Sequence, residues 1–127
     1  MIALLQFRPG DDAEEFQAEG FQRFQQEAEQ ALRLLAERPG FVRGSLGRAT
    51  DDAGSWLLLT EWESVGAYRR GLGGYQVKLR ATPLLSQALD QPSAFEQLLR
   101  IEPGGQETAR ASDRAADADW GSRLAGN

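Results

Sequence analysis

Apolar positions along this chain come in short runs and in helical stripes, and the two patterns follow one another in a definite order. Residues 2–8 begin with the run Ile2-Ala3-Leu4-Leu5 and stop at Pro9-Gly10, which predicts a first strand. Phe21, Phe24, Ala28, Ala31, Leu32 and Leu35 then recur at helical spacing, with Gln and Glu between them, so one apolar stripe faces a core. Asp11-Asp12 suits a cap for this helix and Glu14-Glu15 its positive end, while Gly20 weakens the early turns and moves the firm start close to itself. Arg38-Pro39-Gly40 ends it.

Phe41–Arg48 alternates in part and carries β-branched Val42, as a strand does. After the turn Asp51-Asp52-Ala53-Gly54, residues 55–62 (Ser-Trp-Leu-Leu-Leu-Thr-Glu-Trp) read as a third strand, paired with the second as a hairpin. Its continuous apolar run predicts burial on both faces. Ser64 caps a helix over Val65–Leu72, broken by Gly71, Gly73 and Gly74. Short helical turns follow over Tyr75–Leu79 and Pro83–Leu89. Ala94–Ile101 reads as a fourth strand, with Phe95 and Leu99 on one face.

The order strand, helix, strand, strand, helix, strand is the α+β, ferredoxin-like βαββαβ pattern with an antiparallel sheet. Helices cover one face of such a sheet. The apolar outer positions of the third strand call for a second sheet against them, and a homodimer is the simplest source. The expected domain is 1–101. Residues 102–127 are polar, with Trp120 and Leu124 as the only large apolar side chains, and read as a flexible tail with a weak helical tendency near 107–119.

Composition narrows the functions. The net charge of −5 disfavours nucleic acid and anionic membranes as partners, and no apolar run is long enough to span a bilayer. With no cysteine and no histidine, the chain offers neither a thiolate nor an imidazole for a metal or a nucleophile, and no metal site is expected. The lack of cysteine and of a signal segment fits the cytoplasm.

Trp62 at the end of the third strand and Tyr68 in the next helix are placed to share the space between sheet and helices. An aromatic wall with one hydroxyl suits a flat aromatic ligand, and the same residues suit plain core packing. Arg43 and Arg48 lie on opposite faces of the second strand, and Arg69, Arg70, Lys78 and Arg80 flank the second helical region. Arg80 and Arg43 are the candidates for holding a phenolate or enolate. Glu61, on the strand face opposite Trp62, is placed to pair with an arginine across a dimer interface.

Three stretches, Arg38-Pro39-Gly40-Phe41-Val42-Arg43-Gly44-Ser45, Thr60-Glu61-Trp62 and Ala67-Tyr68-Arg69, resemble the antibiotic-biosynthesis-monooxygenase family in order and spacing. The resemblance covers about residues 1–101. It implies a dimeric α+β barrel with one pocket per subunit, and an oxygenation of polyketide-like phenols or quinols by O₂ without metal, flavin or other cofactor. Trp62 matches the family's pocket tryptophan and Tyr68 its pocket tyrosine, and Arg80 lies near a pocket arginine. The family's oxygenases commonly use an asparagine. Here the only one is Asn127, Leu58 stands where one is expected, and Gln6 is the candidate substitute. The haem-degrading branch uses a histidine, which this chain lacks. The rival expectation is a non-catalytic dimeric module of the same fold, binding a ligand or a partner protein.

Overall fold

The computed structural model describes residues 1–9 and 17–112. The expected cap at Asp11-Asp12, the acidic pair Glu14-Glu15, and Trp120 and Leu124 lie outside them. The described residues form two compact units, one ending at Phe95 and one beginning at Glu96.

The first unit holds β1 (Ile2–Phe7), α1 (Gln17–Ala36), β2 (Phe41–Arg48), β3 (Trp56–Trp62), α2 (Val65–Leu72), α3 (Tyr75–Arg80), α4 (Thr82–Leu85) and β4 (Ala94–Phe95). The strands form one antiparallel sheet in the order β2-β3-β1-β4. This is the ferredoxin-like arrangement, in which the strands joined through α1 flank β3. α1 reaches back past Gly20 to Gln17, because the apolar contacts made later in the helix outweigh the cost of one glycine.

Registers show which side chains share a face. Leu5 pairs with Leu58, Ala3 with Thr60 and Phe7 with Trp56. Since directly opposed residues point the same way, these form the face beneath the helices. Phe24, Ala28, Ala31 and Leu35 of α1 pack onto it and are buried with Phe7, Trp56, Leu58 and Trp62. Phe24 stands edge-on to Trp56, with centroids 5.4 Å apart, and lies 5.2 Å from Phe7. On the other face Ile2 pairs with Glu61, Leu4 with Leu59 and Gln6 with Leu57. All three leucines there are only half-buried.

α2 begins where the sequence predicts. The Ser64 hydroxyl accepts the Ala67 N–H at 3.0 Å, satisfying one of the free donors of the first turn. Against this same first turn lies Gly40, in the turn before β2; it has φ 88°, which a side chain would strain, and a Cβ there would meet Ala67 Cβ at 2.5 Å.

The fourth strand differs from the reading of Ala94–Ile101 as one element. Only Ala94 and Phe95 pair with β1. In the second unit β5 (Leu99–Ile101) pairs forward with β6 (Glu107–Ala109), antiparallel, through a turn in which Gly104 and Gly105 have φ 94° and 90°. Residues 107–109 are therefore strand, not the helical turn expected there. The rest of that expected helix, from 113, lies outside the described residues. The cause is local: Phe95 already lies opposite Ile2, where β1 begins, and Pro103-Gly104-Gly105 supplies the left-handed backbone of a hairpin.

Candidate functional site

β1, α2, α3 and α4 enclose a pocket of about 610 Å³, a size that holds a small organic ligand. Leu5 of β1, Leu72 of α2 and Leu85 of α4 make its walls apolar. Four polar groups enter it: the Tyr68 phenol, the Lys78 ammonium, and the hydroxyls of Thr82 and Ser86. The two hydroxyls donate to the carbonyls of Val77 and Pro83, at 3.2 and 2.9 Å, so toward the pocket they present acceptor lone pairs.

Tyr68 is half-buried, and burial raises its phenol above the ordinary value of 10.0. It stays protonated across the physiological range and acts as a hydrogen-bond donor. Trp62 stands behind it, with ring centroids 5.7 Å apart. Trp62 is 1 % exposed, edge-on to Phe41 at 5.3 Å, and its Nε1–H donates to Thr60 Oγ1 at 2.8 Å. Every polar need of the indole is met inside the core, so Trp62 supports Tyr68 from the side away from the opening. Leu58, also 1 % exposed, lies beside Leu5 across the strands, in the layer beneath the pocket.

The remaining residues singled out from the sequence lie elsewhere. Gln6 is on the opposite sheet face, and its backbone carbonyl accepts the Leu89 N–H at 2.7 Å. Arg43 is on that face too: its Nε donates to Glu61 Oε1 at 2.8 Å, joining an exposed guanidinium to a carboxylate that is 5 % exposed. Glu61 thus pairs with an arginine of its own chain. Arg80 lines a separate, more polar pocket of about 310 Å³ with Gln26, Glu27, Gln30 and Gln87. The cation beside Tyr68 is Lys78.

Lys78 is the residue that sequence reasoning passed over in favour of the arginines. Two spacings mark it: Tyr68 and Leu72 are four apart, and so are Lys78, Thr82 and Ser86. The first pair is one stripe of α2, and the second set, Lys78 of α3 with Thr82 and the C-cap Ser86 of α4, turns toward the same space. Among the described residues, no group of three or more carboxylates is placed to hold a metal ion, and no helix is long and apolar enough to cross a membrane.

Residues 2–73, more than half of the chain, match the antibiotic biosynthesis monooxygenase family, and the chain belongs to it. Among solved structures it is similar to SnoaB, a cofactor-independent oxygenase from Streptomyces nogalater. The match has a TM-score of 0.57 and 22% identity over 76% of this chain and 94% of that one. An asparagine-to-alanine mutant of SnoaB aligns with a TM-score of 0.56 and 17% identity, covering 91% and 95%. A conserved protein from Methanosarcina mazei Go1 aligns at 0.55 and 16%, covering 73% and 84%. At these identities the likeness is one of fold. No curated protein matches the chain.

Proposed function

We propose that this chain is a cofactor-independent monooxygenase that oxidises a phenolic or quinol, polyketide-like aromatic small molecule with O₂. One observation carries the reading. A half-buried tyrosine held in its protonated form opens into an apolar pocket of ligand size. Membership of the monooxygenase family and the fold shared with SnoaB support it.

The chemistry asks little of the protein. An electron-rich phenol loses its proton, and the phenolate passes one electron to O₂. The phenoxyl radical and superoxide then combine at a ring carbon bearing hydrogen, and the peroxide takes up a proton from solvent. The resulting hydroperoxide loses water, leaving a carbonyl at that carbon, so one oxygen enters the product and the other leaves as water. Tyr68 donates a hydrogen bond to the phenolate oxygen, and that bond strengthens as charge builds. The leucine walls exclude water from the radical pair. Among the described residues neither a carboxylate nor an imidazole lines the pocket, and on this reading the phenol's proton passes to solvent. Phenols that ionise near neutral pH fit this site best.

We further propose a homodimer in the cytoplasm. Ile2, Leu4, Leu57 and Leu59 give the outward sheet face an apolar surface that a second copy would cover. A second reading, a non-catalytic dimeric module that binds a small ligand, is favoured by the same lack of a base in the pocket and by Leu58 in place of an asparagine.

The test is O₂ uptake with a panel of hydroxylated naphthalenes and anthracenes, run beside the Tyr68→Phe variant. Uptake that the variant loses establishes the oxygenase. A folded protein that consumes no oxygen with any of them leaves the binding module.

A further inference from the structure

The pocket over Tyr68 is apolar on most of its surface and, among the described residues, holds a single ionic group, the ammonium of Lys78. Among the described residues the Lys78 ammonium makes no ion pair and no hydrogen bond, while its backbone N–H donates to the Gly74 carbonyl at 2.9 Å. It is also the only lysine of the chain, the other basic side chains being arginines. Its flexible stem can swing the charge over the opening.

We propose that Lys78 is the specificity-determining residue of this pocket and selects flat apolar molecules that carry one carboxylate. The inference extends the oxygenase reading by naming the substrate class, an aromatic acid, but its geometry stands without any turnover. Three features define the ligand. The leucine walls take a ring system, whose burial removes apolar surface from water. The Lys78 ammonium takes the carboxylate. The Thr82 and Ser86 hydroxyls already donate to helix carbonyls, so toward the ligand they are acceptors. They would accept from a hydroxyl on the ring and add nothing to a carboxylate, which leaves Lys78 alone to recognise the anion. A neutral aromatic of the same shape would keep the wall contacts and lose the ion pair.

Lys78 itself is exposed, which limits the size of the effect. Ion pairs open to water contribute modestly, so the expected preference for the acid over its neutral amide is roughly fivefold.

The probes are naphthoate and naphthamide, which share a ring and differ in charge, titrated by calorimetry at low and high salt. Wild type is expected to bind naphthoate about fivefold more tightly, a preference that shrinks as salt rises. Lys78→Met is expected to bind both probes alike, with naphthamide affinity unchanged, and Lys78→Arg to keep most of the preference. Equal binding by wild type, or a preference that survives in Lys78→Met, overturns the assignment. A second readout is lysine acylation mapped by mass spectrometry, with Lys78 protected by naphthoate and not by naphthamide. Charge-selective binding without O₂ uptake on any phenol would sink the oxygenase and leave Lys78 as assigned. Uptake without charge selection would do the reverse.

Discussion

Trp62 and Tyr68 lie 5.7 Å apart at 55° and occupy opposite sides of the core boundary. Trp62 is sealed, and Tyr68 opens into the pocket. Two residues that look like one aromatic wall in the sequence are a support and a working surface, and substitutions at the two should separate.

At Tyr68 the expectation concerns chemistry. Tyr68→Phe removes a donor to a charged oxygen and leaves the ring packing, so turnover is expected to fall roughly ten- to hundredfold while the unfolding midpoint barely moves. Oxygen-electrode rates and urea denaturation check the two halves. An unchanged rate would remove Tyr68 from the mechanism.

At Trp62 the expectation concerns stability. Trp62→Ala leaves a cavity among Phe41, Tyr68 and Gly71 and strands Thr60, so a loss of about 3–5 kcal/mol is expected in urea unfolding. A loss under ~1 kcal/mol would show that the indole is less tightly enclosed than described.

Two glycines in helices should behave oppositely. A Cβ at Gly71 would meet Trp62 Cη2 and Cζ3 at 2.7 and 2.8 Å, and both belong to a ring that cannot give way. Gly71→Ala is expected to cost about 1–3 kcal/mol and to disturb the Trp62 fluorescence. At Gly20 nothing lies within 4 Å, and Gly20→Ala is expected to add about 0.5–1 kcal/mol. Thermal unfolding of both variants tests the pair.

Alkaline pH provides another handle. Folding raises the Tyr68 phenol above its ordinary value of 10.0, so the folded state holds this proton more tightly than the unfolded chain. Whatever stability this contributes is fully present below about pH 10 and is lost as pH rises through the folded value. The decline of the unfolding free energy above about pH 10 is therefore expected to be shallower in Tyr68→Phe. An identical decline would mean that Tyr68 is no more enclosed when folded than when unfolded.

Arg43 offers a control. Arg43→Met is expected to reduce stability by roughly 1 kcal/mol, because the enclosed Glu61 carboxylate loses one of its contacts, the Arg43 guanidinium at 2.8 Å. Its O₂ uptake is expected to stay within about twofold, since Arg43 lies on the sheet face away from the pocket. A collapse of activity with normal stability would place the site on that other face.

Much of the fold was legible because each element had its own local signal. The α1 stripe, the Ser64 cap and the hairpin from Phe41 to Trp62 all sit where spacing and turn residues put them. The fourth strand was misread because Phe95 and Leu99 alternate as one strand would, while the actual partner, Glu107–Ala109, has no apolar signature and pairs only through backbone groups. In the site, Tyr68 was visible as a hydroxyl in an aromatic setting. Its neighbour Lys78 was not, because choosing between Lys78 and Arg80 depends on which way the short helix α3 is rotated, and excluding Arg43 depends on which face of the sheet β2 turns to the helices. That rotation is set by packing, not by residue type.

Gly40 bears on how such a pocket is adjusted over evolutionary time. Its bare backbone lets Ala67 sit directly against it, and its carbonyl takes the Glu63 N–H at 2.9 Å. Ala67 immediately precedes Tyr68, so this contact works like a machined shim: its thickness sets the clearance between helix and sheet, and with it the depth at which the phenol hangs. A lineage could retune the site by changing the bulk at position 67 alone, leaving every residue that touches the ligand untouched.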